Sequence, residues 1–106
     1  LKNIDNTLWR IKLNKLEKNL EEFRSNSGYF LEYQTTSLKN LTPIINNKYQ
    51  TMSYYGFNED FLIDFIQNDT PQGIDRIVPI GKTMDFSLIW DGYDLIETLS
   101  RKIEII

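Results

Sequence analysis

The sequence contains neither cysteine nor histidine. Their absence excludes disulfides, thiolate nucleophiles, imidazole bases and the usual zinc ligands among these residues. Whatever this chain contributes to chemistry, it is not nucleophilic catalysis by cysteine or by a histidine-based triad.

An excess of positive charge is also missing. The chain carries 12 Lys and Arg against 15 Asp and Glu, which gives a net charge of −3. Such a balance offers no general attraction to phosphate backbones or anionic lipid. The six tyrosines lack an accompanying basic stripe, so they indicate sheet packing rather than a stacking surface for nucleic acid. We therefore expect no nucleic-acid partner.

Long apolar runs are absent as well. No run approaches the roughly 20 residues needed to span a bilayer, and no segment has the pattern of a signal peptide. We expect no membrane span and a cytoplasmic location. A length of 106 residues is short for a dinucleotide enzyme, which usually needs two lobes. Because the chain begins at Leu1 in mid-pattern, we expect residues 1–106 to be a single segment of a larger protein.

The sequence has the composition of a folded protein, with 41% hydrophobic residues. Residues 8–13 alternate between apolar and polar, which predicts a strand with one covered face. A rival pattern runs from Trp9 to Phe23 at four-three-four-three spacing and is compatible with one long amphipathic helix. We favour the strand, followed by a short helix or turn over residues 16–23.

The middle of the chain alternates strand and helix signals. Residues 29–33, 49–55 and 74–80 predict strands, and Ser37 is placed to cap a short helix through Ile45 that Pro43 shortens or bends. Asn58 is placed to cap a helix over residues 58–68 with one apolar stripe. Strand, helix and strand with short joints predict a parallel crossover, and hence an α/β fold class.

The last part of the chain is less regular. Residues 82–90 show no clean period. Asp91 is interpreted as the N-cap of a short helix over residues 93–100, and the alternative is that it orients substrate or cofactor. Residues 102–106 alternate sufficiently to predict a final strand. We expect this strand to pair outside its own unit, because an exposed apolar edge is otherwise an aggregation hazard.

Three segments carry a family resemblance: Asn47-Lys48-Tyr49-Gln50-Thr51, Gly73-Ile74-Asp75-Arg76-Ile77-Val78-Pro79-Ile80-Gly81, and Trp90-Asp91-Gly92-Tyr93-Asp94-Leu95 with residues 99–101 after it. In order and spacing they resemble the C-terminal end of the fatty-acyl (acyl-CoA) reductases of bioluminescence operons. These reductases are the LuxC-type branch of the aldehyde dehydrogenase superfamily.

The resemblance implies that this chain is part of an aldehyde-dehydrogenase-like catalytic domain, built of strand-helix-strand units with a C-terminal strand. It implies that the cysteine nucleophile and most of the cofactor lobe lie before Leu1. In the intact protein, the cysteine would take a fatty acyl group as a thioester and NADPH would deliver hydride. The product would be a long-chain aldehyde for bacterial luciferase.

The resemblance also implies partners. The acyl group would come from acyl-CoA or from an acyl-protein synthetase in a reductase complex, and the intact protein is expected to be a homo-oligomer. The acidic residue of the superfamily stands in a Glu-x-Phe-Gly-Pro setting. Glu21, Glu22 and Phe23 lack the Gly-Pro, so none of them is assigned a catalytic role.

Met84, Phe86 and Trp90 are the candidate substrate-binding residues. An irregular aromatic loop after a buried strand is a usual wall for an apolar ligand, here a fatty chain. The alternative is that these residues fill the edge of the core. Arg76 is a candidate for binding a phosphate or for pairing with Asp75 or Asp85, and solvation on the strand surface is its plain alternative.

Adjacent acid pairs at residues 21–22 and 59–60 point apart, so they indicate a solvated face rather than a glycosidase dyad. For the whole chain a second hypothesis stays open, namely an independent small α/β interaction module without an enzymatic parent. The coding sequence upstream of Leu1 distinguishes the two hypotheses, since only the reductase requires a cysteine there.

Overall fold

Short strands and helices alternate along the chain. The computed structural model describes residues 2–5, 7–24 and 27–106, which form seven strands and two α-helices. Three strands build one sheet, and the other four form two separate pairs. This architecture is a small mixed α/β fold, which confirms the predicted class at that level.

The first sheet contains β1 (Lys2–Ile4), β2 (Leu8–Lys12) and β3 (Tyr29–Glu32), in that order. Strand β2 runs antiparallel to β1 and parallel to β3. The Arg10 guanidinium joins β2 to β3 by donating two hydrogen bonds to the carboxylate of Glu32. The predicted strands at residues 8–13 and 29–33 are confirmed, and the alternative of one long helix from Trp9 is wrong.

Two 3-10 helices lie outside the sheets. The first, Leu20–Phe23, falls in the region predicted to be a short helix or turn. The second, Leu38–Leu41, begins at Ser37, whose hydroxyl oxygen accepts a hydrogen bond from the Lys39 backbone. The predicted cap is confirmed, but this helix ends before Pro43 instead of continuing to Ile45, because proline disrupts the interior of a helix.

The second sheet pairs β4 (Gln50–Tyr54) with β5 (Ile74–Pro79) in parallel, and α1 (Glu59–Asp69) connects them. The Asn58 side chain caps α1 by accepting a hydrogen bond of 2.8 Å from the backbone of Phe61. The predicted strand-helix-strand unit is confirmed. At 11 residues α1 is the longest described helix, and none in the described part of the chain is apolar and long enough to cross a membrane.

Beyond β5, residues 82–88 are irregular, as predicted, but the irregular stretch does not extend to residue 90, because Ile89 and Trp90 form a strand. Residues 82–88 lead into an antiparallel hairpin of β6 (Ile89–Trp90) and β7 (Tyr93–Asp94), followed by α2 (Leu95–Leu99). The last helix is therefore shorter than the predicted span of residues 93–100. Residues 102–106 pair with none of the described strands, so the predicted final strand is not formed within this chain.

The chain exposes more surface than a compact protein of the same size. Its accessible area is 9063 Å², whereas a compact monomer of 12.6 kDa exposes about 6,200 Å². The radius of gyration is 17.5 Å, against about 13 Å for a compact domain of this length. Among the described residues, Leu62 and Phe65 of α1 are the buried hydrophobic ones. The core is therefore small, and much apolar surface faces outward.

Candidate functional site

The three segments that carry the family resemblance lie against one another. The backbone of Gln50 in the first donates a hydrogen bond of 2.9 Å to the carbonyl of Gly73 in the second. The second and third meet where the Arg76 guanidinium lies 4.2 Å from the centre of the Trp90 ring. The segments therefore form one continuous patch along the β4–β5 pair and the β6–β7 hairpin.

Two glycines of these segments lie very close to neighbouring residues. A Cβ atom on Gly73 would lie 2.2 Å from the carbonyl carbon of Asn46, so only glycine fits beside the turn that precedes β4. A Cβ atom on Gly92 would lie 3.2 Å from a carboxylate oxygen of Asp75. Both glycines also have a positive φ, a backbone conformation that glycine adopts without the steric cost other residues meet.

Arg76 holds the irregular loop against β5. Its two terminal nitrogens donate hydrogen bonds to the backbone carbonyls of Thr83, at 3.0 Å, and Asp85, at 2.8 Å. The Asp85 carboxylate instead pairs with Lys82 at 3.3 Å. Within the described residues no carboxylate lies in ion-pair distance of Arg76. The predicted pairing with Asp75 or Asp85 side chains is therefore replaced by bonds to loop carbonyls.

Two of the three candidate substrate-binding residues, Trp90 and Phe86, are stacked beside this arginine. The Trp90 ring contacts the guanidinium, and the Phe86 ring stacks on Trp90 with 5.1 Å between centroids. Met84 stands between the two residues whose carbonyls Arg76 binds. Met84 is 87% exposed and Phe86 is 70% exposed, so these side chains border an open surface here. Their role as the wall of an acyl site stays a prediction.

Asp91 does not cap the last helix. With Gly92 it forms the two-residue turn of the β6–β7 hairpin, and both residues have a positive φ. Such a turn is the one that an Asp-Gly pair favours between antiparallel strands, whereas an N-cap needs extended backbone. Asp94 is the cap, and its carboxylate accepts a hydrogen bond of 3.1 Å from the Glu97 backbone.

Glu21 is a polar anchor that the sequence did not indicate. Its side chain is only 7% exposed, which contradicts the interpretation of a solvated face. The carboxylate accepts hydrogen bonds from the Asn46 amide at 2.9 Å and the Tyr49 hydroxyl at 3.2 Å, and Lys48 lies 3.8 Å away. These partners are 25 or more residues distant in sequence, so no local pattern points to them.

The contacts of Glu21 shift the pKa of its own carboxyl and that of the Tyr49 hydroxyl. The hydrogen bond from Asn46 is the largest influence that lowers the pKa of the Glu21 carboxyl, and Tyr49 and Lys48 add to it. Burial, and next the hydrogen bond to Glu21, raise the pKa of the Tyr49 hydroxyl. The cluster is thus held together by a carboxylate that remains charged and a phenol that remains neutral.

Two shallow grooves lie elsewhere on the chain. One of about 330 Å³ runs along the first sheet, and its mainly apolar lining is Ile11, Leu13, Glu17, Leu20, Phe23, Tyr29 and Leu31. Another, of about 300 Å³, separates α1 from the 3-10 helix at Leu38–Leu41. Neither groove is lined by Met84, Phe86 or Trp90.

The described residues do not fit a dinucleotide. A single glycine, Gly56, stands between β4 and α1, whereas a phosphate-binding turn needs several glycines for close backbone approach. The first turn of α1 carries Glu59 and Asp60, whose charges oppose a phosphate at the helix N-terminus. The described part of the chain also contains no group of three or more acidic side chains that could hold a metal ion.

Comparison with known proteins found no matching family model, no matching curated protein and no matching solved structure. The family resemblance therefore depends on the residues of the three segments themselves.

Proposed function

We propose that this chain is the C-terminal part of the catalytic domain of an NADPH-dependent long-chain fatty-acyl reductase. The enzyme is of the LuxC type within the aldehyde dehydrogenase superfamily, and it makes fatty aldehyde for bacterial luciferase. In this proposal the chain supplies neither the nucleophile nor the coenzyme site. It contributes the part of the acyl-site wall formed by Met84, Phe86 and Trp90.

The mutual contact of the three resembling segments carries this proposal. Residues of one functional site must be brought together by the fold, and the contact of these segments meets that requirement. Here the Gln50–Gly73 hydrogen bond and the Arg76–Trp90 contact join the segments end to end. The apolar side chains grouped there suit the hydrocarbon chain of a fatty acyl substrate.

The open surface of the chain supports membership in a larger domain. An accessible area of 9063 Å², against about 6,200 Å² for a compact monomer, leaves much apolar surface to be covered. The remaining lobes of a reductase would cover such surface. NADPH supplies the hydride when bound, and the acidic first turn of α1 argues that its phosphates are held by residues outside this chain.

The exposed apolar surface also favours the second candidate, an independent small α/β interaction module. In that case the surface would be covered by a protein partner rather than by other lobes of the same polypeptide. The coding sequence upstream of residue 1 separates the two candidates. A cysteine, preceded by a strand and a Gly-rich turn, is expected for the reductase, and a start codon shortly before residue 1 is expected for the module.

Acylation tests the proposal directly. The full-length protein, incubated with labelled tetradecanoyl-CoA, should form a thioester on an upstream cysteine and oxidise NADPH on release of the aldehyde. The polypeptide of residues 1–106 should form no acyl adduct, because it contains no thiol. Stoichiometric acylation of a Ser or Lys in residues 1–106, seen by mass spectrometry, would contradict the proposal.

A further inference from the structure

Arg76 is linked to each of the three candidate wall residues, and to Met84 only through the backbone on either side of it. Arg76 contacts the Trp90 ring directly, and Trp90 in turn stacks against Phe86. The hydrogen bonds from Arg76 to Thr83 and Asp85 fix the backbone on both sides of Met84. The Arg76 side chain thus contacts both the loop backbone and the Trp90 ring.

Arg76 is free to serve this purpose because no carboxylate of the described residues lies within ion-pair distance of its guanidinium. Asp85, the carboxylate nearest along the loop, pairs with Lys82. A guanidinium suits the task, since its planar fork binds two carbonyls at once while its flat face covers an aromatic ring. An ammonium group offers a single charged point and cannot reproduce this geometry.

We infer that Arg76 is a positioning residue that sets the acyl-chain preference of the reductase by holding Met84, Phe86 and Trp90 in place. This inference rests on the proposed function. Arg76 itself touches neither the thioester nor the coenzyme in this scheme. Its loss therefore displaces the wall beside the hydrocarbon chain and leaves the reacting carbonyl where it was.

The effect should depend on chain length. Each methylene group in an apolar pocket changes kcat/KM by about 10- to 200-fold at most, so a displaced wall affects long acyl chains far more than short ones. A residue that only stabilises the fold would lower the kcat/KM of long and short substrates by the same factor.

The first measurement tests the positioning itself. In the full-length protein every tryptophan other than Trp90, Trp9 among them, is replaced by Phe in each sample, so that fluorescence reports Trp90 alone. In Arg76→Met, acrylamide should quench Trp90 more strongly and its emission should shift to the red. Arg24→Met is the matched control, because it removes an exposed arginine that follows the 3-10 helix Leu20–Phe23 and is not part of the loop. Equal quenching of Trp90 in the parent protein, in Arg76→Met and in the control variant overturns the positioning role.

The second measurement uses the full-length protein with tetradecanoyl-CoA and butanoyl-CoA. In Arg76→Met the ratio of kcat/KM for the long over the short substrate should fall by about tenfold or more. Arg76→Lys keeps the charge and should restore part of the ratio, and it also serves if the methionine variant fails to fold. Arg24→Met should stay within about twofold of the parent, as surface substitutions usually do.

The two measurements separate the possible failures. If kcat/KM falls by the same factor for both substrates, or if its ratio does not change, Arg76 does not select the length of the acyl chain. If the parent protein reduces neither substrate, the proposed function fails and the role in chain selection fails with it. Quenching that is unchanged in Arg76→Met, in a protein that does reduce acyl-CoA, overturns the inference about Arg76 and leaves the proposed function intact.

Discussion

The side-chain amide of Asn46 donates a hydrogen bond of 2.9 Å to the carboxylate of Glu21, which stands 25 residues earlier in the chain. This bond joins the 3-10 helix at Leu20–Phe23 to the turn before β4. The Tyr49 hydroxyl donates to the other carboxylate oxygen at 3.2 Å. One partly buried carboxylate thus links the first sheet unit to the second.

We predict that Glu21 makes the stability of this chain depend on pH in the acid range. Hydrogen bonding from Asn46 holds the folded-state pKa of Glu21 below its ordinary value. The carboxylate therefore stabilises the fold above the unfolded pKa of about 4.3, and this contribution is lost as pH falls through the lowered folded-state pKa. Thermal unfolding of Glu21→Gln should begin at lower temperature than that of the parent at pH 7, and the difference should shrink with acidification.

Glu22→Gln is the control for this prediction, because Glu22 is the exposed neighbour of the same type. It should unfold at nearly the parent temperature across the range. A constant difference between Glu21→Gln and the parent at every pH would show that the carboxylate charge is not what matters.

Gly73 should tolerate no side chain. In Gly73→Ala the new Cβ atom would overlap the Asn46 backbone, and the positive φ adds strain. Gly56→Ala is a matched control, since Gly56 has a similar φ but no atom within 4 Å of the Cβ position. In the control, left-handed strain should lower the free energy of unfolding by about 1–2 kcal/mol, and Gly73→Ala should lower it clearly more. Urea unfolding measures both losses, and equal values would contradict the close approach to Asn46.

The buried face of α1 gives a further prediction. Phe65 is 4% exposed, whereas Phe61, one turn earlier, is 45% exposed and stacks on Phe57. Phe65→Ala should therefore destabilise the fold by about 3–5 kcal/mol, and Phe61→Ala by much less. Chemical denaturation of the two variants provides the comparison. A larger loss at Phe61 would mean that α1 buries its other side.

Helix α1 illustrates which parts of the fold the sequence predicts well. Its cap Asn58, its apolar stripe and its position between two β-rich segments are all local signals, and they agree with one another. The β4 and β5 strands follow from the same kind of signal. The irregular character of residues 82–88 was predictable for the opposite reason, since no periodicity is present there.

Asp91 and Glu21 show where sequence reasoning fails. An Asp before an apolar helix signals a cap, and an Asp-Gly pair signals a hairpin turn, so Asp91 satisfied two local rules and the cap was the wrong choice. The prediction for Glu21 was wrong for a different reason, because its partners Asn46 and Tyr49 become neighbours only through tertiary folding. The contact of Arg76 with Trp90 is of the same long-range kind.

The C-terminal tail gives the last prediction. Residues 102–106 pair with no described strand of this chain, and Ile103 and Ile105 are more than 90% exposed. Alternation places Ile103 and Ile105 on one side of an extended tail and Glu104 on the other. A tail of this kind is expected to pair as a strand with another subunit or with another lobe of the intact protein, because free apolar edges promote aggregation.

Ile105→Asp in the full-length protein should therefore loosen assembly, while Glu104→Lys should matter less because it faces the other side of the strand. Sedimentation equilibrium measures the assembled mass, and thermal unfolding reports whether a pairing within the same polypeptide is lost instead. A lower mass identifies the partner as a second copy, and an unchanged mass with lower stability identifies it as another lobe. If Ile105→Asp changes neither mass nor stability, residues 102–106 do not form a pairing strand.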